Sequence, residues 1–297
     1  FPRQKDYDLI IAWEANTALP LALMRSLTAG AWRGDGEKYE KIRNSQPPLL
    51  VLNFVLKGRP ALDLLPLIRV AMRSVDQITC LSQREIDEYS RLLNFPLERC
   101  RKLQGPFRDH FENSVEERTQ DNEFIFSAGR SHRDYRTLVE AKKMLGELAS
   151  CWADVPLVIN ARRFNVRRIQ SSPGIQINPF LPFEMYLGNL AAARFAIVPL
   201  LPARHASGET FMIQAMTARK AVIASETFST LEMIKSGQNG LLVPPKQPEA
   251  LAQAMLELLD RPDFARRLGQ AGREHYLAEW SFPVVAKRIH QIIQELC

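Results

Sequence analysis

The chain has 297 residues, of which 46% are hydrophobic and 24% charged, a composition that describes a soluble globular protein long enough for two domains with cores of their own. Its formal net charge of +6 is scattered through amphipathic segments and forms no basic block. A phosphorylated ligand or an anionic membrane surface is therefore expected before any nucleic acid. The four cysteines, Cys80, Cys100, Cys151 and Cys297, show no CxxC pair and no metal-ligand spacing, which predicts free thiols in a reducing compartment. Pro20, Arg25, Pro66 and Arg69 interrupt the apolar runs before they reach the roughly 20 residues that span a bilayer. No signal-peptide pattern is present, and Phe1 leads almost at once into a strand, as though the chain were entered partway through a domain.

In chain order, strands of the buried type are predicted at 8–13, 49–55 and 77–82, separated by helical patterns, which argues for a parallel sheet. Residues 18–27 read as a helix with Thr17 as N-cap, Pro20 in the first turn and Gly30 just past its end. Residues 64–74 read as another, with Arg69 and Arg73 four apart on one face. Its apolar residues, Leu64, Leu65, Leu67, Ile68 and Val70, face the core or, in the alternative, a membrane interface. Ser82 with Glu85 three residues on forms a capping box for a helix running to Leu93. Residues 32–46 read as a surface loop, and the polar stretch around 108–122 as a linker. Beyond it, strands at 124–127, 156–160, 175–178, 195–200, 221–225 and 240–243 alternate with helices at 135–148, 183–193, 210–218 and 230–235. Such alternation gives an open doubly wound sheet with its ligand crevice at the strands' carboxyl ends. Three amphipathic helices, 248–259, 262–279 and 282–296, close the chain.

Chemistry gathers on two loops leaving those carboxyl ends. The first, Gly129-Arg130-Ser131-His132-Arg133-Asp134-Tyr135-Arg136, places three arginines after a strand and before a helix, where guanidiniums can fork onto phosphate oxygens. Arg133 and Arg136 otherwise decorate a first helical turn, where a cation opposes the dipole by roughly 0.3–1 kcal/mol; such a placement suggests an anion nearby. The second loop ends in Ser207-Gly208-Glu209-Thr210-Phe211. Ser207 can N-cap, Gly208 lets a ligand approach the backbone, and the amides of Glu209, Thr210 and Phe211 are free to cradle a diphosphate. Glu209 alone could simply complement the helix N-terminus, and the role of Gln214 stays open.

The Gly129-Arg130 loop, the run from Ser207-Gly208-Glu209-Thr210 to Gln214-Ala215-Met216, and Asn239-Gly240-Leu241-Leu242-Val243-Pro244-Pro245 together resemble the C-terminal domain of a retaining GT-B glycosyltransferase of the family 4, or group 1, type. The resemblance covers most of 124–296 and, more weakly, 7–107. It implies an α/β fold with two Rossmann-like doubly wound parallel-sheet domains facing a cleft, the N-terminal one incomplete. The domains would be 1–115 on the acceptor side, 116–280 for the nucleotide sugar, and a helix at 281–297 packing back toward the first.

The resemblance also assigns roles. Gly129, Arg130, Arg133, Arg136, Ser207, Gly208, Thr210 and Phe211 would hold the donor diphosphate, and Arg130, Arg133 and Glu209 would be catalytic. Gln214 would contact the ribose, and Pro179 and Phe180 the ribose or base, with Phe183 nearby. The family pattern brackets the second loop with two glutamates, whereas this chain has Ala206 and Gln214. Either Glu209 or His205 would then take over the donor-sugar contact, or that contact would be lost. Arg219 stands where the family commonly has a C-capping glycine, a structural departure. No metal and no cofactor is implied, and the one DxD triplet, Asp6-Tyr7-Asp8, enters a strand and reads as incidental.

The expected reaction moves a sugar, with retention, from a nucleotide-diphosphate sugar (UDP or GDP type) to a hydroxyl of a glycan, lipid or small molecule. The expected location is the cytoplasm, with the inner membrane face as a peripheral site. The alternatives are a catalytically weakened nucleotide-sugar-binding relative and a nucleotide-sugar 2-epimerase.

Overall fold

The computed structural model describes residues 7–29, 42, 45–56, 63–112, 124–167, 169, 173–179, 181–203 and 206–297. Gly30, most of the 32–46 loop, residues 113–123 of the expected linker, Phe180 and His205 lie outside them. The chain divides into two compact units, Phe1–Pro106 with Phe282–Cys297, and Phe107–Ser281.

The first unit is built on four parallel strands in spatial order β1 (Ile10–Trp13), β2 (Leu49–Leu52), β3 (Gln77–Cys80) and β4 (Cys100–Lys102). β2 and β3 are buried along their whole length, which is why their sequences read as continuous rather than alternating. The fourth strand, Cys100-Arg101-Lys102, carries no apolar run in the sequence; it joins the sheet by pairing with β3.

Helix α1 spans Ala15–Thr28, three residues earlier than expected. Its N-cap is Glu14, not Thr17, whose hydroxyl instead donates to the Glu14 carbonyl at 3.0 Å from inside the helix. Pro20 consequently lies in the second turn rather than the first. Helix α2 (Leu65–Met72) turns Ala71 and Met72 inward and packs Leu65 and Ile68 against the core, while Arg69 donates to the Leu92 carbonyl at the end of α3 (Gln83–Leu93). Ser82 caps α3 as expected, accepting the Glu85 amide at 3.2 Å. The last helix of the chain, α11 (Phe282–Leu296), lays Val285 and Ile292 on Leu50, Leu52 and Leu103 of this unit.

The second unit has six parallel strands: β5 (Ile125–Ala128), β6 (Leu157–Asn160), β7 (Ile175–Asn178), β8 (Ala196–Val198), β9 (Val222–Ser225) and β10 (Leu241–Val243). Their spatial order is β10-β9-β8-β5-β6-β7. Counted from the first strand of the unit this is the 3-2-1-4-5-6 arrangement of dinucleotide-binding folds, whose direction reverses between β5 and β8. One apolar layer joins the sheet to α4 (Tyr135–Leu148) and α9 (Pro248–Asp260). The other joins it to α6 (Phe183–Ala192), α7 (Glu209–Thr217) and α10 (Pro262–Glu279). Two short helices, α5 (Arg163–Val166) and α8 (Phe228–Leu231), follow β6 and β9.

Residues 107–112, which take in the start of the linker expected at 108–122, are docked on this unit. Phe111 is buried, the Tyr276 hydroxyl donates to the Phe107 carbonyl at 2.8 Å, and Asp109 pairs with buried Arg273 at 2.6 Å. All four cysteines are free, Cys80 and Cys100 being buried. Among the described residues no helix is long and apolar enough to cross a membrane.

Candidate functional site

The two loops singled out in the sequence leave β5 and β8, the strands on either side of the point where strand order reverses. Crevices form there because the helices that follow the two strands diverge to opposite faces. The loops are joined directly. Arg133 and Leu200 form an antiparallel bridge, with the Asp134 amide donating to the Pro199 carbonyl at 3.0 Å and the Leu201 amide to the His132 carbonyl at 2.8 Å. Ser225 of β9 accepts the Leu200 amide at 2.9 Å, so the ladder is anchored across three strands.

Within the first loop, Gly129 has φ +119°, and a β-carbon built there would lie 2.3 Å from the Arg133 guanidinium. Only glycine allows that approach. Arg133 folds back over it, donating from Nε to the Ala128 carbonyl at 2.9 Å and from Nη1 to the Ser131 carbonyl at 3.0 Å. The Tyr135 hydroxyl donates to the Gly129 carbonyl at 2.7 Å. Burial lowers the Arg133 pKa, while the fields of Tyr135, Glu209 and Tyr186 act against that loss. An arginine remains charged in such a setting, and its field reaches further than it would in water.

Arg130 is exposed, and its carbonyl is held by the Asn165 side-chain amide at 2.8 Å. Arg136 is also exposed but pairs with Glu140 one turn along α4, at 3.0 Å. The structure thus separates the three arginines: one open to solvent beside the loop, one folded into it, one engaged along the helix. Asp134 caps α4 by accepting the Thr137 amide at 3.2 Å and the Thr137 hydroxyl at 2.8 Å.

The second loop differs from expectation at its cap. Ser207 is buried and does not cap α7; the N-cap is Gly208, in left-handed conformation at φ +101° and without a side-chain cap bond. A β-carbon at Gly208 would come within 3.1 Å of Leu200 Cδ1 and Val198 Cγ1, so the chain turns here by lying flat on the end of β8. An αL residue bends the backbone before the helix begins, which leaves serine's hydroxyl outside capping range. The first amide bonded back to Gly208 is that of Met212, at 3.1 Å. The amides of Glu209, Thr210 and Phe211 therefore precede the helical ladder, at its positive end.

Gln214, half-buried on α7, accepts a hydrogen bond from the Tyr186 hydroxyl at its side-chain oxygen, 2.5 Å away. Burial raises the Tyr186 pKa, so the phenol stays protonated and donates. Gln214 keeps its amide N–H groups and one lone pair of that oxygen to offer, whereas an ionised carboxylate could only accept. Tyr186 also stacks on Phe183 at 6.0 Å between centroids and lies against Phe126 and Phe211. Pro179 is exposed after β7, and Phe183 is 46% exposed with His110 edge-on at 5.0 Å. Sequence reasoning missed Tyr135 and Tyr186, because nothing local marks a helical tyrosine as the partner of a loop carbonyl or of a glutamine 28 residues on.

Residues 193–275 match the model of the family described as glycosyl transferases group 1. The matched stretch lies within the second unit and includes the loop between β8 and α7. Among relatives of this chain, the alpha-D-kanosaminyltransferase of Streptomyces kanamyceticus is 23% identical over 251 residues, covering 77% of this chain and 62% of that protein. The GDP-mannose-dependent monoacylated alpha-(1-6)-phosphatidylinositol monomannoside mannosyltransferase of Corynebacterium glutamicum is 27% identical over 149 residues, 46% of this chain and 38% of that one. The chain thus spans less than two thirds of the length of these relatives. Among solved structures, HepE of Anabaena in complex with UDP superposes with a TM-score of 0.72 at 14% identity, covering 99% of this chain and 80% of that one. Sucrose-phosphate synthase of Thermosynechococcus elongatus does so with 0.62 at 19%, covering 98% and 74%. Those likenesses show the fold, which is GT-B: two units, each a parallel sheet alternating with helices.

Proposed function

We propose that the protein transfers a sugar from a nucleotide-diphosphate donor to a hydroxyl acceptor with retention of anomeric configuration. The bond between the sugar's anomeric carbon and the β-phosphate oxygen breaks, and its electron pair leaves with the diphosphate. A new bond forms from that carbon to the acceptor oxygen, whose proton passes to the departing phosphate. The observation that carries the reading is the ladder joining the β5 and β8 loops at the sheet's switch point, which sets the Arg133 charge near Glu209 and the first turn of α7. Negative charge grows on the leaving diphosphate in the transition state, and fixed donors aimed at it lower the barrier.

In this reading Arg130 reaches the diphosphate from solvent, and Arg133, held over Gly129, stabilises the charge without having to reorganise. Gly208, Thr210 and Phe211 present backbone to the phosphates. Ser207 shapes the loop from its buried position, and Arg136 adds long-range field. Glu209 would contact the donor sugar in place of the acid that Ala206 lacks, and Gln214 would donate to a ribose hydroxyl beside Pro179. A UDP sugar is favoured by the UDP-bound HepE structures and a GDP sugar by the GDP-mannose-dependent relative. The acceptor would be a glycan, a lipid or a small molecule.

Incubation with UDP and GDP sugars and candidate acceptors should yield products heavier by one sugar. Arg130→Ala should lower turnover at least 100-fold while leaving circular dichroism unchanged. Unchanged turnover would remove the assignment. Ala206, together with the Gln214 oxygen occupied by Tyr186, favours as second reading a relative that binds nucleotide sugar without transferring it. Calorimetric donor binding with neither transfer nor hydrolysis identifies that case. A free sugar nucleotide altered at one carbon, with no acceptor consumed, would mark a 2-epimerase.

A further inference from the structure

Between Asp154 and Glu184 the sequence has no acidic residue and holds Arg162, Arg163, Arg167 and Arg168. The first three are exposed on the loop and short helix that follow β6, and Arg168 lies outside the described residues. Among the described residues none of the three forms an ion pair, unlike Arg136, Arg261 and Arg266, which pair with acids three or four residues away in sequence. Phe164 stands between them with 59% of its surface exposed. The segment is not a loose excursion: Val166 is buried beneath it, the Asn165 amide donates to the Arg162 carbonyl at 2.9 Å, and the Asn165 side chain holds the Arg130 carbonyl. At the same carboxyl edge of the sheet, α6 begins after neighbouring β7 with Phe183 and Met185 exposed at 46% and 57%. Glu184 is the one acid between them.

We propose that this edge of the second unit is a docking surface for an anionic lipid bilayer. Arginines without acidic partners attract anionic headgroups by several-fold each, and an exposed phenylalanine among them enters the boundary between headgroups and acyl chains. A small phosphate ligand would satisfy the guanidiniums but would leave Phe164 in water, and it is this side chain that selects the bilayer. Arginine stems also cover apolar surface while their heads stay at the polar level. The surface does not depend on the transferase reading, and it would place the neighbouring β5 loop close to a membrane-borne substrate.

The test is co-sedimentation of the full chain with vesicles of phosphatidylcholine, with and without 30% phosphatidylglycerol. Binding is expected only with phosphatidylglycerol, weakening as salt rises. The variant Arg162→Gln/Arg163→Gln/Arg167→Gln should lose roughly 100-fold in affinity, at about fivefold per arginine. Phe164→Ser should lose several-fold more than any single arginine change. A variant removing equal charge from helix α10 and its cap, Arg261→Gln/Arg266→Gln/Arg267→Gln, should bind much as the parent does. Melting curves check that each variant folds. Absence of binding by the parent chain overturns the proposal. So does equal loss in the two triple variants, which would mean diffuse attraction, or loss of UDP binding by the loop variant with vesicle binding retained.

Discussion

Gln214 accepts from Tyr186, both side chains being half-buried. Gln214→Leu leaves a half-buried phenol without its acceptor and should cost about 1 kcal/mol, whereas the double change with Tyr186→Phe should recover much of that loss. A double-mutant cycle by urea denaturation reads the coupling; additive effects would show that the bond contributes nothing. Lys220 offers a second test, remote from the site because it lies between α7 and the start of β9. Burial pushes its pKa down to about 8, from an ordinary value of 10.5. The unfolded chain therefore binds more protons between these values, and stability should climb with pH across that window. At pH 7 the full penalty is present, so Lys220→Met should stabilise the protein by on the order of 1–3 kcal/mol, and the gap should close above about pH 10.5. A gap that does not change with pH would contradict this. Neither group was legible as special in the sequence. A glutamine on a helix and a lysine before a strand acquire meaning only from what packs over them.

At the scale of elements, α7 is fixed at both ends by backbone conformations that side chains resist. Its C-terminus closes with the Arg219 amide on the Met216 carbonyl and the Lys220 amide on the Ala215 carbonyl, a Schellman arrangement that puts Arg219 at φ +56°. The departure at Arg219 from the glycine common in the family is thus a strained residue in a left-handed position. Arg219→Gly should gain up to about 1 kcal/mol, the relief of strain exceeding the added chain entropy. The neighbouring helix explains why this turn stays put. A β-carbon at Gly269 of α10 would lie 2.1 Å from the Arg219 carbonyl oxygen, and buried Arg273 donates to the Thr217 carbonyl at 2.8 Å. Gly269→Ala should accordingly cost about 1–3 kcal/mol and lower the melting temperature by several degrees. An unchanged melting temperature would mean that α10 is free to shift. The bounds of α4, α10 and α11 were legible to the residue, because their apolar periodicity and terminal prolines or caps are local signals. The caps of α1 and α7 were not. Thr17 and Ser207 are good capping residue types, but Glu14 and Gly208, both at positive φ, turn the chain at other points.

For the whole molecule, the parallel architecture was legible because buried strands such as Leu49–Leu52 and Val222–Ser225 stand out as apolar runs between helices. Strand order was not, since only pairing decides that β8 rather than β7 lies beside β5. That pairing is what turns two separate loop motifs into one place, with Arg133 bridged to Leu200 and near Glu209 and the first turn of α7. The loops' residue types were readable in sequence, and the division of labour among Arg130, Arg133 and Arg136 was not, because it depends on which guanidinium folds back over Gly129. The direct test is calorimetry of the full chain with UDP and GDP against their monophosphates, repeated on Arg130→Ala. The account predicts that one nucleoside diphosphate binds at least tenfold more tightly than its monophosphate, and that Arg130→Ala removes most of this difference while melting at the same temperature. Equal affinity for monophosphate and diphosphate, or a difference that survives Arg130→Ala, would contradict it.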